Sequence, residues 1–174
     1  NQANYCNDLV RSALNILRNP SQETELLDVN EIVENCLDVG GPVMSRQGVV
    51  IQRDFAPALP LVKGEFGLIR QALLNLITNA CQAMHKQLVP REILLRTWSD
   101  DEAVYISVAD TGPGISQEMR DKIFQPFFST KGNQGTGIGL AAVCNIMHRH
   151  KGEVFLGAAP GRGAEFVLRF PRNE

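Results

Sequence analysis

The segment GEFGLIRQALLNLITNACQAM (64–84) predicts a long helix with two different sides. Apolar residues at helical spacing give it one side that can enter a core: Ile69, Ala72, Leu73, Leu76, Ile77 and Ala80. Asn75 and Asn79 lie four positions apart and stack one turn above the other on a second side, which Gln71 and Gln82 extend. A row of amides offers neutral donors and oxygens that can hold a hard cation or a phosphate. From this segment alone, an amide-rich surface helix without a ligand is an equally good interpretation.

The composition fits one globular domain with a short appendage, at 174 residues, 44% hydrophobic and 21% charged. A net charge of -2, without any run of lysine or arginine, predicts no binding to nucleic acid. No apolar run approaches the roughly 20 residues of a membrane span, so we expect no membrane contact by this segment. The first residue is not methionine, which is compatible with a fragment of a longer protein.

Neither the cysteines nor the histidines form a metal-binding pattern. The four cysteines are scattered without a C-x-x-C pair: Cys6, Cys36, Cys81 and Cys144. We expect buried free thiols in a reducing compartment, with a redox or metal role as the alternative. His148 and His150 are two positions apart near a helix end, so they point to different sides and do not share a metal.

The rest of the chain divides into predicted helices and strands. Apolar seams over residues 1–18 predict a first helix, which Asn19-Pro20 ends before a linker. Asp28 and Glu31 have the form of a capping box for a second helix, which Gly40-Gly41-Pro42 should kink or interrupt. A strand over 49–55 and a turn-rich lead precede the long helix. The second half is predicted to begin with an antiparallel hairpin (92–98 and 103–109). A short helix follows, which Ser116 caps and which reaches about Phe124. A further helix from about 139 to near Gly152 and two final strands (153–156 and 164–170) complete the chain.

The first glycine cluster, Asp110-Thr111-Gly112-Pro113-Gly114-Ile115, follows directly on a predicted strand. The glycines allow the backbone to approach a flat ligand closely. An ionised Asp110 only accepts hydrogen bonds, so it can take one from an amino group such as that of adenine. A plain Asp-x-Gly turn is the alternative.

The second glycine cluster, Gly135-Thr136-Gly137-Ile138-Gly139-Leu140, runs straight into a predicted helix. Backbone N–H groups and the positive end of the helix dipole are exposed at such a start, which makes it an anion site. The cluster is not a Walker A loop, since the Gly-Lys-Ser/Thr ending is absent, and not a dinucleotide fingerprint, since no βαβ unit surrounds it.

The order of these motifs resembles the ATP-binding catalytic domain of bacterial sensor histidine kinases, in the wider family that includes gyrase B, Hsp90 and MutL. NLITNA (75–80) resembles the N box, DTGPGI (110–115) the G1 box, FQPFF (124–128) the F box and GTGIGL (135–140) the G2 box. The resemblance covers about residues 25 to 171, and QPFFSTK with NACQAM is similar to the nitrogen-regulation branch. It implies the Bergerat fold, an α/β (α+β) two-layer sandwich in which helices cover one face of a mixed, mostly antiparallel sheet, preceded by a short N-terminal helix. Residues 1–20 would be the end of the dimerisation and phosphoacceptor hairpin plus a linker, and 21–174 the ATP-binding domain.

The resemblance also implies roles for individual residues. Asn79 would coordinate Mg²⁺ that bridges the phosphates, and Asn75 would help to hold metal and phosphate. Asp110 would accept from the adenine amino group, and Gly112, Gly114 and Ile115 would shape the base pocket. Residues 116–134 would form an ATP lid, pinned by Phe124 and Phe127, with Lys131 reaching the terminal phosphates. The G2 box would cradle phosphate oxygens through Gly135, Gly137 and Gly139, with Thr136 and Leu140 also at the nucleotide.

One position separates a kinase from a hydrolase. In the ATPase relatives a glutamate stands where Asn75 stands and acts as the base on water, whereas an amide takes no proton at neutral pH. The expected function is therefore phosphoryl transfer from Mg-ATP to a histidine, with Asn75 and Lys131 as catalytic groups. His85, His148 and His150 match no phosphoacceptor motif, so that histidine would lie outside this chain.

The expected partners are ATP or ADP, the phosphoacceptor hairpin of the same kinase in cis or in trans within a homodimer, and a response-regulator receiver domain. The expected location is cytoplasmic, whether or not the full-length protein is anchored in a membrane. A degenerate nucleotide-sensing module and an ATPase of the gyrase and Hsp90 type are the alternatives. At Gln82, Ala83 and Ala164 the chain departs from residues frequent in the family, so the nucleotide contacts that depend on those residues are not expected here.

Overall fold

The computed structural model describes residues 24–85, 87, 90–129, 137–159 and 163–172. The predicted first helix (1–18), and with it the boundary between residues 1–20 and 21–174, lies outside the described residues. The helices are α1 (Val29–Arg46), α2 (Phe66–Ala83), α3 (Gln117–Arg120) and α4 (Gly139–Arg149). The strands are β1 (Glu25–Leu27), β2 (Val49–Phe55), β3 (Val62–Gly64), β4 (Arg91–Ser99), β5 (Ala103–Asp110), β6 (Glu153–Leu156) and β7 (Glu165–Pro171).

The main sheet has five strands in the order β2-β4-β5-β7-β6. Only β2 and β4 are parallel, and the other three pairs are antiparallel. The predicted hairpin is confirmed as β4–β5, with Ile93 opposite Asp110 and Trp98 opposite Tyr105. Asp110 is therefore the last residue of a central strand.

Alternation along the strands sends one set of side chains toward α1, α2 and α4 and the other set outward. Ile93 and Leu95 of β4 and Ile106 of β5 are fully buried on the helical side. The buried side of α2 holds the predicted apolar residues together with Leu68. On the outer side Trp98 stacks on Tyr105 with ring centroids 5.0 Å apart. The expected two-layer α/β sandwich is confirmed.

The predicted interruption at Gly40-Gly41-Pro42 is wrong, because α1 continues through it to Arg46. Pro42 lacks an N–H for the carbonyl of Asp38, yet Asp38 is exposed, so water can satisfy that carbonyl. The Arg46 Nε donates to the Pro42 carbonyl at 3.1 Å and supports the last turn. At the other end the predicted cap is confirmed, since the Asp28 carboxylate accepts from the Asn30 N–H at 2.8 Å.

Two other predictions need correction. The turn-rich lead into α2 contains β3, which pairs antiparallel with β1 through Leu27 and Val62. The sequence pattern missed this pairing because strands of three residues are too short for their alternation to be recognised. The short helix does not reach Phe124, because α3 ends at Arg120 and turns follow. Ser116 precedes it without a side-chain capping bond. No described helix is both long and apolar enough to cross a membrane.

Candidate nucleotide-binding site

Asp110 provides a buried carboxylate at the end of β5, where it is 5% exposed. Its Oδ1 accepts from the Gly112 N–H at 2.7 Å and, more weakly, from the Ala164 N–H at 3.4 Å. The Asp110 backbone N–H in turn donates to the Ala164 carbonyl at 2.9 Å. No described residue donates to Oδ2. One carboxylate oxygen is therefore held by the backbone, and the other takes no hydrogen bond from the described residues.

The glycine turn after Asp110 is held at its start by two hydrogen bonds between Thr111 and β4. The Thr111 N–H donates to the Glu92 carbonyl at 3.1 Å, and the Thr111 hydroxyl accepts from the Glu92 N–H at 3.0 Å. Gly114 has φ 78°, a conformation that favours glycine. A Cβ at Gly112 would lie 3.4 Å from the Cβ of Ala83, which shows that the last turn of α2 lies against this turn.

Gly163 is a residue of the site that none of the sequence motifs includes. A Cβ on Gly163 would lie 1.5 Å from the Asp110 carbonyl oxygen and 3.1 Å from its Oδ1. Only glycine fits there without moving β5. The glycines that precede β7 in the sequence were the available signal, but nothing in the sequence indicated that Gly163 lies over Asp110.

The amide side of α2 faces the beginning of α4. Asn75 and Asn79 are both half-buried. The Asn75 Nδ2 donates to the Gly139 carbonyl at 3.4 Å, and a Cβ on Gly139 would lie 3.8 Å from the Asn79 Nδ2. The structure therefore brings the N-box amides and the last glycine of the G2 box together.

The F-box residues occupy different environments. The Phe124 ring packs edge-on against Phe166 of β7, with centroids 6.2 Å apart. Phe127 is 70% exposed, and its backbone N–H donates to the Gly137 carbonyl at 3.0 Å. Both Phe127 (φ 67°) and Gly137 (φ 64°) have positive φ angles. Phe127 thus contacts the G2 box through its backbone.

The structure describes only some of the remaining predicted site residues. Ile115 and Leu140 are half-buried against the core. Lys131, Gly135 and Thr136 lie outside the described residues.

An open groove of about 700 Å³ lies beside the glycine turn, between residues 113–116 and residues 156–159. Gly114 and Ile115 line it, whereas Asn75 and Asn79 do not. The groove therefore borders the Asp110 side of the site and does not extend to the amides of α2.

Burial is the main electrostatic influence at the site. It raises the pKa of the Asp110 carboxyl, while the N–H groups of Gly112 and Ala164 oppose that rise. Burial also raises the pKa of the Cys81 thiol, and the nearby charge of Asp110 adds to the effect. Cys36, Cys81 and Cys144 are free thiols, as predicted, although only Cys36 is fully buried.

The donor set fits a magnesium nucleotide. Mg²⁺ is commonly held by one or two protein oxygens together with substrate phosphates and water. The described residues contain no group of three His, Cys, Asp or Glu that could hold a metal by themselves. The amide oxygens of Asn75 and Asn79 beside the start of α4 suit a metal that arrives with phosphates.

Comparison with known proteins agrees with this geometry. The family model described as histidine kinase-, DNA gyrase B- and HSP90-like ATPase matches residues 65–174. Sensor histidine kinase ZraS of Klebsiella oxytoca is 33% identical over 172 residues, which cover 99% of this chain and 37% of ZraS. The signal transduction histidine-protein kinase AtoS of Escherichia coli is also 33% identical over 172 residues, covering 96% of this chain and 27% of AtoS. The chain thus spans about a third of the length of these curated relatives.

Solved structures show the same architecture. The catalytic domain of histidine kinase ThkA superimposes with a TM-score of 0.77 at 25% identity and covers 88% of this chain and 100% of that domain. Full-length ShkA in complex with AMPPNP gives a TM-score of 0.80 at 28% identity and covers 96% of this chain and 36% of ShkA.

Proposed function

The chain belongs to the family of histidine kinase-, DNA gyrase B- and HSP90-like ATPases, as an ATP-binding catalytic domain of the sensor histidine kinase type, and we propose that it transfers the γ-phosphoryl of Mg-ATP to a histidine outside this chain. The nitrogen-regulation-like branch fits the similarity to ZraS and AtoS. The phosphorylated histidine would then serve a response-regulator receiver domain.

The observation that carries the proposal is the half-engaged carboxylate of Asp110. Its Oδ1 is held by the Gly112 N–H, which leaves Oδ2 to accept from an exocyclic amino group. The neighbouring Gly112, Gly114 and Ile115 would form the walls of the base pocket. A buried charged acceptor of this kind selects adenine over a base that presents a carbonyl at the same position.

The phosphates would lie between α2 and the start of α4. Asn79 would hold Mg²⁺ through its amide oxygen, with Asn75 beside it, and the N–H groups at the start of α4 would bind phosphate oxygens. When bound, Mg²⁺ supplies positive charge that offsets the negative charge of the phosphates during transfer. Gly135, Thr136, Gly137, Gly139, Leu140 and Lys131 would complete the phosphate side.

The choice of kinase over hydrolase rests on Asn75. Its Nδ2 donates to the Gly139 carbonyl, so its Oδ1 points away from that carbonyl. An amide in this orientation orients ligands but accepts no proton from water at neutral pH. The site would hold ATP without activating water until a histidine side chain arrives as the nucleophile.

The partners follow from the same proposal. The acceptor would be the phosphoacceptor hairpin of the same kinase, in cis or across a homodimer. Residues 1–20 would be the end of that hairpin and its linker, and 21–174 the catalytic domain. We propose a cytoplasmic location for this domain.

The test combines the chain with a histidine-bearing helical hairpin, Mg²⁺ and γ-labelled ATP. We expect ATP to bind, acid-labile label to appear on the hairpin, and little phosphate to be released without it. Binding without any transfer would instead favour a nucleotide sensor, and steady phosphate release by the chain alone would favour an ATPase. An absence of ATP binding would overturn the proposal.

A further inference from the structure

His150 joins the end of α4 to the beginning of α2. It is 7% exposed, and its Nε2 accepts from the Glu65 N–H at 3.0 Å. Its Nδ1 lies 2.7 Å from the Ile146 carbonyl. Both contacts are satisfied at once only by a ring that is protonated at Nδ1 and accepts at Nε2. Arg149 adds an ion pair with the Glu65 carboxylate.

These contacts connect the cap residues of the two helices. Glu65 is the N-cap residue of α2, but its side chain makes no capping hydrogen bond. His150 is the C-cap residue of α4. The Ile146 carbonyl already accepts from the His150 backbone N–H at 3.2 Å, so the ring is its second partner. The His150 ring contacts an N–H at the start of α2 and a carbonyl at the end of α4, so the two caps are joined by one side chain.

The ring is also held in place by its surroundings. A Cβ on Gly64 would lie 2.8 Å from the His150 Cδ2, so the chain passes directly against the imidazole. Phe170 packs edge-on against the imidazole, with ring centroids 6.4 Å apart. A ring confined in this way transmits a displacement of α4 directly to the start of α2.

The second junction between the same helices is at the candidate nucleotide site. There Asn75 of α2 donates to the carbonyl of Gly139 at the start of α4. Glu65 and Asn75 are ten residues apart, and so are Gly139 and Arg149, each interval rising about 15 Å along its helix. The two helices are therefore antiparallel, and they are in contact at both ends of two segments of equal length.

We propose that His150, assisted by Arg149 and Glu65, is a positioning residue that fixes the axial register of α4 against α2. The register sets the distance between the amides of Asn75 and Asn79 and the N–H groups at the start of α4. His150 would thus act on the phosphates from about 15 Å away without touching them. The inference rests on the proposed function of the site, since it concerns where the phosphates are held.

The base side of the site gives an internal reference. Asp110 belongs to β5 and is held by the N–H groups of Gly112 and Ala164, not by α4. A change of register between the helices should therefore weaken ATP binding while leaving adenosine binding unchanged. A general loss of stability would not change one without the other.

The test compares His150→Leu, which removes the acceptor, with His150→Gln, which keeps an acceptor for the Glu65 N–H. Affinity for Mg-ATP is measured by calorimetry and affinity for adenosine by NMR titration, at a temperature where each variant is folded. We expect His150→Leu to bind Mg-ATP about 3- to 10-fold more weakly, because the buried Glu65 N–H loses its partner. His150→Gln should stay closer to the parent protein, and adenosine affinity should be equal in all three.

His148→Leu is the matched control, because His148 is exposed on the same last turn of α4 and should change neither affinity. If His150→Leu does not fold, the half-exposed Arg149→Ala carries the test, with an expected loss of about two- to fivefold for Mg-ATP alone. Unchanged Mg-ATP affinity in the folded variant, or an equal loss for ATP and adenosine, would overturn the positioning role. A parent chain that does not bind Mg-ATP would instead refute the proposed function.

Discussion

Asp110→Asn changes one oxygen of the candidate base site into an NH₂ group and leaves the shape of the side chain almost the same. The amide oxygen can keep the hydrogen bond from Gly112, which is 2.7 Å long in the structure. The amide nitrogen then stands where Oδ2 stood. A donor would face the adenine amino group where the parent protein offers a charged acceptor.

The expected loss in binding follows from that exchange. A hydrogen bond to a charged group contributes about 1.5–3 kcal/mol, which corresponds to a Kd for ATP that is about 10- to 150-fold weaker. Inosine triphosphate presents a carbonyl in place of the amino group, so Asp110→Asn should bind it better than the parent protein does. The ratio of the two affinities should therefore move from ATP toward inosine triphosphate.

Calorimetric titration of both nucleotides against the parent chain and the variant measures this ratio. Asp101→Asn is the control, because Asp101 is an exposed carboxylate in the β4–β5 turn. It should leave both affinities unchanged. If Asp110→Asn bound ATP as tightly as the parent chain, or lost both nucleotides equally, Asp110 would not read the base.

The same variant separates binding from stability. Because burial raises the pKa of Asp110, the folded protein holds this proton more tightly than the unfolded chain does. The stabilising contribution is complete below the unfolded-state pKa of about 3.9 and is lost as the pH rises through the higher folded-state pKa. At pH 7 Asp110→Asn should therefore unfold in urea at the same midpoint or a higher one. A clearly lower midpoint would show that the carboxylate stabilises the fold.

Two further predictions concern the backbone. Gly163→Ala should lower the free energy of unfolding by about 1–3 kcal/mol or more, because its Cβ would lie 1.5 Å from the Asp110 carbonyl oxygen. An unchanged or higher urea midpoint for Gly163→Ala would contradict this close approach. Lys151 has φ 54° directly after α4, so Lys151→Gly should stabilise the protein by about 1 kcal/mol. An unchanged or lower urea midpoint for Lys151→Gly would contradict the strain assigned to that residue.

Local sequence patterns were enough to predict the helices and strands that have a strong local signal. The apolar spacing of α2, the Asp28 cap and the alternation of the hairpin each express a rule that acts within a few residues. The order of an amide helix, two glycine boxes and a phenylalanine-rich segment indicated an ATP-binding kinase domain through its resemblance to a known family. Such rules could not predict that α1 continues through Pro42, because this continuation depends on which side of the helix faces solvent.

The contacts between these elements become visible only in the folded chain. Asn75 contacts Gly139 across 64 positions of the chain, and the Glu65 N–H contacts His150 across 85. The position of Gly163 over Asp110 and the pairing of β1 with β3 are likewise contacts between residues distant in sequence. Local pattern fixes which side of a helix or strand is apolar, but contacts between distant residues are chosen when those sides pack together. The sequence therefore predicts which residues form the site, and the folded structure determines their distances and orientations.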